Sequence, residues 1–366
     1  MNYPIMTAQE AARLIKNDDT IGIGGFSSVG VPKAVPAELA KYAIEEHEAG
    51  REFKVGLVTG GATGPSIDTD LALAHAVKFR TPFQSNKDMR GAINSGEVQY
   101  FDCHLSMIGQ DVHYGFLGKL NVAIVEASEI TPEGNLILST SVGISPTLLK
   151  MADKVIVELN SAHAGKLTGM HDIYIPEIPP YRKPFMITSP GDRIGTIYAE
   201  VDPKKVVAVV ETNMSDKQAG FTPLNDETRA IGAHVSNFLV NELKRGGIPK
   251  EFLPLQSGVG NIANAVIGAL GDNPDVPAFS MFTEVIQNSV IDLMLKGRCN
   301  YVTGSSLSLT DDALRQCMQI WMYSANVYCS VHRRSQTILN VSAVLVSSRS
   351  TLHLKQTSSA MSTQLT

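Results

Sequence analysis

One carboxylate, Glu284, lies where a short patterned stretch could position it for chemistry. It follows the apolar run 277–282, which is typical of a buried strand. From Val285 onward apolar residues recur at helical spacing and Gly297 follows as a stop signal, so we expect a helix there. A strand-to-helix junction would hold the carboxylate rigidly, and the positive end of the helix would favour its charged form. Such a group suits a nucleophile or a base.

The position of Glu284 is also compatible with a purely structural role. Acidic residues are common in the first turn of helices, where they complement the helix dipole. Position alone favours that role over catalysis, so a catalytic role for Glu284 needs a second, independent observation.

A glycine-rich loop precedes Glu284 by about one helix and one strand. Gly258, Gly260 and Ala263 follow the short run 253–257 and open a predicted helix that continues to Ala269. This is a weak match to the dinucleotide-binding fingerprint, because the preceding strand is short and contains Pro254. Backbone amides at such a helix start can receive an oxyanion or a phosphate. An NAD-binding protein therefore stays open as a remote alternative.

Other motifs are absent from the sequence. It contains no phosphate-binding GxxxxGK[ST] loop and no GxSxG elbow, so we expect neither an NTPase nor an α/β-hydrolase. No His or Cys spacing suggests a metal site or a disulfide framework. Four of the nine histidines are interpreted as ordinary loop or core residues: His104, His113, His163 and His171.

Composition sets the class of protein and its surroundings. The chain has 366 residues, which is long enough for two domains with their own cores. Its net charge of −5 gives no reason to expect a basic surface for nucleic acid or an anionic membrane. It has no apolar run of membrane-spanning length, and its first residues lack the pattern of a signal peptide. We therefore expect a cytoplasmic protein.

Alternating strands and helices predict an α/β architecture with a largely parallel sheet. Glycine-rich segments follow the first two strands, at residues 24–28 and 60–64, which suits a site at the carboxyl ends of the strands. Residues 175–184 carry four prolines and should form an extended surface loop, and residues 215–226 resemble an interdomain linker. The predicted strands of the first domain are 20–24, 54–59, 121–125, 154–159 and 205–210.

The composition changes near residue 316. Residues 317–366 contain none of the 36 acidic residues, 30 glycines or 18 prolines, but ten serines and the only tryptophan. Such a segment lacks the usual residues for turns and helix caps. A disordered Ser/Thr-rich tail is one interpretation, but the apolar runs 338–341 and 343–346 do not fit it.

Two separated motifs resemble those of the acetyl-CoA hydrolase/transferase family, specifically its succinyl-CoA:acetate CoA-transferase type. They are residues 256–265 (QSGVGNIANA) and 282–287 (FTEVIQ), and the segments 24–26, 32–36 and 220–225 fit as well. The resemblance covers about residues 5–316. It implies two CoA-transferase-type open-sheet α/β domains, at 1–220 and 226–316, of which the second would be incomplete.

The resemblance also implies a mechanism and a set of site residues. Glu284 falls on the family's nucleophilic glutamate, which forms a glutamyl-CoA thioester. Gly25 and Phe26 fall, more weakly, in the segment that borders the acyl site. Coenzyme A would be a substrate, and short carboxylates such as acetate, succinate, propionate or butyrate would be its acceptors. The family further implies no tightly bound cofactor and a homodimeric assembly. The family's CoA-binding loop corresponds to Gln256, Ser257, Gly258, Val259 and Gly260.

The segment after residue 316 departs from the family. Codons consistent with residues 351–363, shifted by one base, can spell a sequence similar to the family's continuation, so we expect a frameshift near Gln316 and an aberrant tail at 317–366. Three functional hypotheses follow. A CoA-transferase is the leading one, an acetyl-CoA hydrolase arises if water attacks a glutamyl intermediate, and an inactive truncated family member is the alternative of a different class.

Overall fold

The computed structural model describes residues 3–163, 167–216, 218 and 223–319 with their side chains, and the backbone of residues 320–323 and 328–332. Most of the predicted aberrant tail, namely residues 324–327 and 333–366, lies outside the described residues. So do residues 217 and 219–222 of the predicted linker.

The larger sheet is built almost wholly from parallel strands, and its order is β4-β3-β2-β1-β5-β7-β9, with β6 antiparallel to β5. Its β-branched inner strands are buried on both faces, as expected for a parallel sheet covered by helices. Its strands are β1 (Thr20–Ile23), β2 (Val55–Thr59), β3 (Val77–Thr81), β4 (Gln99–Tyr100), β5 (Val122–Ile130), β6 (Leu136–Leu138), β7 (Lys154–Asn160) and β9 (Val206–Thr212).

Ten α-helices are found among the described residues. The first begins with a reciprocal capping box formed by Thr7 and Glu10. The helices are α1 (Ala8–Ala12), α2 (Ala34–Glu48), α3 (Pro65–Leu73), α4 (Lys87–Asn94), α5 (Leu105–His113), α6 (Ser145–Met151), α7 (Asp226–Arg245), α8 (Asn261–Asp272), α9 (Asn288–Leu295) and α10 (Asp311–Tyr323). The proline-rich residues 175–184 form neither helix nor strand, as predicted.

A second parallel sheet has the order β10-β12-β14-β8, and a two-stranded parallel pair joins β11 to β13. Their strands are β8 (His171–Asp172), β10 (Phe279–Phe282), β11 (Val285–Gln287), β12 (Cys299–Gly304), β13 (Ser306–Ser308) and β14 (Tyr328–His332). One hydrophobic core continues from β5 and β7 of the first sheet into β10 and β12 of the second.

Two predictions near the site are wrong. Residues 285–287 are not the start of a helix but strand β11, which pairs with β13, and α9 begins only at Asn288. The predicted strand at 253–257 is reduced to a single bridge from Leu255 to Met281, because the Ser257 N–H, which would continue the ladder, donates to the Thr283 side chain instead.

Among the described residues, no helix is long and apolar enough to cross a bilayer. The same part of the chain contains no cluster of three or more His, Cys, Asp or Glu side chains arranged to hold a metal ion.

Candidate active site

Glu284 occupies the single-residue step between Thr283, which follows β10, and strand β11. The main chain fixes it on both sides. The N–H of Thr283 donates to the carbonyl of Thr303 at 2.8 Å. The carbonyl of Glu284 accepts from the N–H of Ser305 at 2.8 Å and from its hydroxyl at 2.6 Å. The rigid flanks predicted for this carboxylate are therefore present, although the second flank is a strand.

The electrostatic setting of Glu284 differs from the prediction. Because α9 starts four residues later, at Asn288, its dipole does not act directly on the Glu284 carboxylate; a helix dipole acts mainly within its first turn. Burial instead raises the pKa of Glu284 above its ordinary value, since a desolvated carboxylate loses the hydration that stabilises its charge. The structure thus places a poorly solvated, and hence more basic, carboxylate at this step.

The 256–260 loop is hydrogen-bonded to Thr283 and Gln287, the residues on either side of Glu284–Ile286. The Thr283 hydroxyl accepts from the N–H of Ser257 at 3.3 Å and donates to the Ser257 carbonyl at 3.1 Å. The Gln287 amide donates to the Gly258 carbonyl at 2.9 Å and accepts from the N–H of Gly260 at 3.5 Å. The loop and the carboxylate are therefore parts of one hydrogen-bonded unit.

The outer side of the 256–260 loop is open. At Gly258 and Gly260, no described atom lies within 4 Å of the position that a Cβ would occupy, and Val259 is 62% exposed. Gly260 has a φ of +123° and precedes α8, whose first turn receives no side-chain cap. The amides of this helix start are consequently available to an oxyanion or a phosphate group.

Gly25 and Phe26 belong to a second loop, which follows β1 and borders the same region as Glu284. Gly25 donates its N–H to the Ser145 hydroxyl at 3.1 Å and forms a backbone bridge with Gly143. Phe26 is buried and packs against Gly61, where a Cβ would lie only 3.0 Å from the ring. The glycine-rich ends of β1 and β2 thus meet, as the predicted open-sheet arrangement requires.

We use the name seam for the contact between residues 139–143 and residues 305–307. Across it, the N–H of Val142 donates to the Ser305 carbonyl at 3.2 Å, and the N–H of Leu307 donates to the Thr140 carbonyl at 2.8 Å. Since Gly143 bridges Gly25 and Ser305 holds Glu284, the seam links the predicted acyl-site segment to the predicted nucleophile.

The four histidines interpreted as structural take no part in the hydrogen bonds described above. His104 precedes α5 and His113 ends it. His163 and His171 are buried. The His171 Nε2 lies 3.0 Å from the Ser139 carbonyl, and burial lowers its pKa to about 4. A neutral imidazole of this kind fills the core and is not poised to exchange protons near neutral pH.

Three residues that hold the site were not found from the sequence: Thr283, Gln287 and Ser305. Thr283 and Gln287 lie in the recognised 282–287 motif, and their alternation with Glu284 was a usable signal once the segment is taken as extended. Ser305 carried no signal, since its partner lies 21 residues earlier.

Comparisons with known proteins identify the family. Residues 2–211 match the acetyl-CoA hydrolase/transferase N-terminal domain. The chain belongs to the acetyl-CoA hydrolase/transferase family. It is 43% identical over 321 residues to the propanoyl-CoA:succinate CoA transferase of Escherichia coli, which covers 88% of this chain and 65% of that protein.

Two further relatives represent both activities in the family. The chain is 42% identical over 312 residues to the succinyl-CoA:acetate CoA-transferase of Clostridium kluyveri, covering 85% of this chain and 57% of that one. It is 38% identical over 326 residues to the acetyl-CoA hydrolase of Yarrowia lipolytica, covering 87% and 62%. The chain thus spans roughly three fifths of the length of these relatives.

Solved structures support the fold. RipA from Yersinia pestis superposes with a TM-score of 0.64 at 16% identity, covering 92% of this chain and 69% of RipA. The predicted CoA-transferase-type α/β fold is therefore confirmed.

Proposed function

We propose that this chain carries the nucleophile of a CoA-transferase that moves CoA between an acyl-CoA and a short-chain carboxylate. The observation that carries the proposal is the unit formed by Glu284 and the 256–260 loop. It combines a partly buried carboxylate on a fixed backbone with open amides at a helix start. The similarity to two CoA-transferases supports the same reaction class.

In the first half-reaction, a carboxylate oxygen of Glu284 attacks the acyl-CoA thioester carbonyl. The tetrahedral oxyanion collapses, the C–S bond breaks, and CoA leaves as a thiolate, which gives an acyl-glutamyl anhydride. The thiolate then attacks the glutamyl carbonyl and expels the acyl group as a carboxylate. One oxygen of Glu284 leaves with that product, and a glutamyl-CoA thioester remains.

In the second half-reaction, an incoming carboxylate attacks the glutamyl carbonyl and releases the CoA thiolate. The thiolate attacks the acyl carbonyl of the new anhydride, which gives the product acyl-CoA and regenerates the Glu284 carboxylate. Each tetrahedral oxyanion requires donors fixed in place. We assign this role to amides of the 256–260 loop and the start of α8, and we assign a border of the acyl site to Gly25 and Phe26.

Acetyl-CoA hydrolysis is the second candidate function. It needs only water in place of the incoming carboxylate at a glutamyl intermediate, and the similarity to an acetyl-CoA hydrolase favours it. An inactive chain is the third outcome of the test below. The homodimer, the cytoplasmic location and the absence of a tightly bound cofactor stay predictions from the sequence.

Mass spectrometry of peptides tests the proposal. The protein is incubated with propionyl-CoA without acceptor, digested, and searched for a peptide bearing Glu284 heavier by CoA minus water. We expect this adduct in the wild type and in the control Glu251→Gln, which changes an exposed carboxylate, but not in Glu284→Gln. A folded wild-type protein without the adduct refutes the proposal.

Transferase and hydrolase activity are separated by adding acetate labelled with ¹⁸O to the adduct. A transferase incorporates the label into Glu284 and forms acetyl-CoA, whereas a hydrolase releases free CoA at the same rate with or without acetate.

A further inference from the structure

A buried charge cluster lies beside the seam and takes no part in the proposed chemistry. Lys33 contacts the carboxylates of Glu126 on β5 at 2.6 Å and Asp216 of the predicted linker at 2.9 Å. All three side chains are at most 10% exposed. Burying these charges costs free energy that a surface ion pair does not incur, so the cluster calls for an explanation beyond surface solubility.

The carboxylates in the cluster outnumber the cation. The N–H groups at the start of α2 satisfy Glu158, at 2.6 to 3.1 Å from residues 33–35. Glu126 accepts from Asn160 at 3.2 Å through the oxygen that also meets Lys33. The other oxygen of Glu126 is buried and makes no hydrogen bond within the described part of the chain. Lys33 is thus the cation that meets both Glu126 and Asp216.

Hydrogen bonds of Asp216 connect Lys33 to the seam. Its second oxygen accepts a short hydrogen bond from the Thr140 hydroxyl, and the Thr140 carbonyl accepts from Leu307 across the seam at 2.8 Å. Its first oxygen also accepts from the N–H of Gly30 at 3.1 Å. Gly30 in turn packs against Ser141, whose hydroxyl donates to the Val29 carbonyl at 2.7 Å.

A neighbouring linker residue makes the same connection independently. The Gln218 amide donates to the Ser28 carbonyl at 3.4 Å and its oxygen accepts from the Ser308 hydroxyl at 3.3 Å. Gln218 is therefore fastened both to the loop after Phe26 and to strand β13.

We propose that Lys33 is a positioning residue whose ammonium holds Asp216 against Thr140 and thereby fixes the seam that carries the backbone of Glu284. The chain of contacts runs from Lys33 to Asp216, to Thr140, to the 305–307 segment, and from Ser305 to Glu284. Its consequence for catalysis rests on the proposed function, but the positioning itself does not.

The charges in the cluster give this role a pH dependence. The groups that face Lys33 are Glu126, Glu158 and Asp216. Burial opposes the charge on Lys33, but attraction to Asp216 and Glu126 outweighs burial and raises the Lys33 pKa. Burial, reinforced by Asp216 and opposed by Lys33, raises the pKa of Glu126 to about 7. Without Lys33, Glu126 and Asp216 face each other uncompensated and stay together only when one of them is protonated.

Hydrogen exchange without substrate tests the positioning role. The variant is Lys33→Met, and the matched control is Lys41→Met, which removes an exposed lysine from the same helix. At pH 8 we expect amides of residues 139–143 and 305–307 to exchange about tenfold faster in Lys33→Met than in the control. A factor of ten corresponds to a pKa shift of roughly one unit that the lysine charge no longer compensates. Amides of β2 should exchange alike in both proteins.

The pH profile separates positioning from general destabilisation. After correction for intrinsic exchange rates, the difference between the two variants should shrink to less than about threefold at pH 6, where a proton replaces the lysine charge. An unchanged seam, an equal acceleration in β2, or a difference independent of pH would overturn the proposal.

Asp216→Asn provides the second variant, which keeps the Lys33–Glu126 pair and serves alone if Lys33→Met does not fold. It should loosen the seam with a weaker pH dependence than Lys33→Met, and protection equal to the control would overturn the proposal. Since no acyl-CoA is present, a negative result here leaves the Glu284 adduct test unaffected, and the reverse holds as well.

Discussion

Replacing Thr283 by valine should loosen the 256–260 loop from the segment that carries Glu284. Thr283 is fully buried, and valine has nearly the same shape, so the change removes the hydroxyl and leaves no cavity. The hydroxyl makes two hydrogen bonds with the backbone of Ser257. The Ser257 carbonyl keeps a second donor, the Gln256 side chain at 3.2 Å, so the main cost falls on the Ser257 N–H.

The size of the effect follows from this count. A buried N–H left without a partner costs about 1–3 kcal/mol, and a lost but compensated hydrogen bond about 0.5–1 kcal/mol. We expect Thr283→Val to lower the free energy of unfolding by about 2 kcal/mol in urea titrations. If the cost is local, the Ser257 amide should exchange about thirtyfold faster, since 1.4 kcal/mol is a factor of ten.

Thr303→Val is the matched control. Thr303 is also fully buried and its hydroxyl donates to the Pro190 carbonyl at 2.6 Å, away from the loop. It should destabilise the protein measurably while the 256–260 amides keep their protection. A change below about 0.5 kcal/mol in Thr283→Val, or equal loop exchange in the two variants, would show that Thr283 does not hold the loop.

Three further outcomes are expected. Gly260→Ala places a Cβ at a φ of +123° and should lower the free energy of unfolding in urea by about 1–2 kcal/mol. Gly258→Ala, whose Cβ meets open space, should lower it by less, and equal losses would contradict the backbone argument. The pKa of His171 falls from 6.5 to about 4 on folding, so the unfolded chain binds an extra proton between these pH values. The free energy of unfolding should therefore fall by about 3 kcal/mol as the pH drops from 6.5 to 4. His171→Gln should lack this part of the pH dependence. The rate of Glu284 adduct formation should fall with decreasing pH through a midpoint above 4.5, because burial raises the Glu284 pKa and only the ionised carboxylate attacks; a midpoint at or below 4.5 would contradict the burial argument.

The central strands of the first sheet could be predicted because their β-branched residues form nearly continuous apolar runs. Strands β3 and β4 do not share this signal, since Lys78 and Arg80 break the continuous apolar run in β3 and β4 has only two residues. Arg80 is nonetheless fully buried, where it meets Asp68 at 3.1 Å and the Thr59 hydroxyl at 2.8 Å. Partners 12 and 21 residues away compensate its charge, and local pattern does not reveal such pairs.

The error at Val285 has a related cause. Ile286, Val290 and Leu293 recur at helical spacing, but a three-residue run that begins with the β-branched pair Val285 and Ile286 fits a strand equally well. The register with β13, residue Val285 opposite Ser306 and Ile286 opposite Leu307, decides in favour of the strand. The nucleophile could be proposed from its motif, while the partners that hold it depend on this distant pairing.

The corrected geometry changes how Glu284 would be activated. A helix start would have stabilised the carboxylate and lowered its pKa, which makes the ion more abundant but a weaker nucleophile. A partly buried position between two strands does the opposite and raises the pKa of Glu284 through desolvation. Above that pKa the carboxylate is still ionised, and in the proposed reaction it would attack a thioester more readily because less solvation must be lost on the way to the transition state. The negative charge then moves to the tetrahedral oxygen, where fixed amides can meet it. In the proposed mechanism, burial at Glu284 and open amides in the 256–260 loop would therefore act on opposite ends of the same charge transfer.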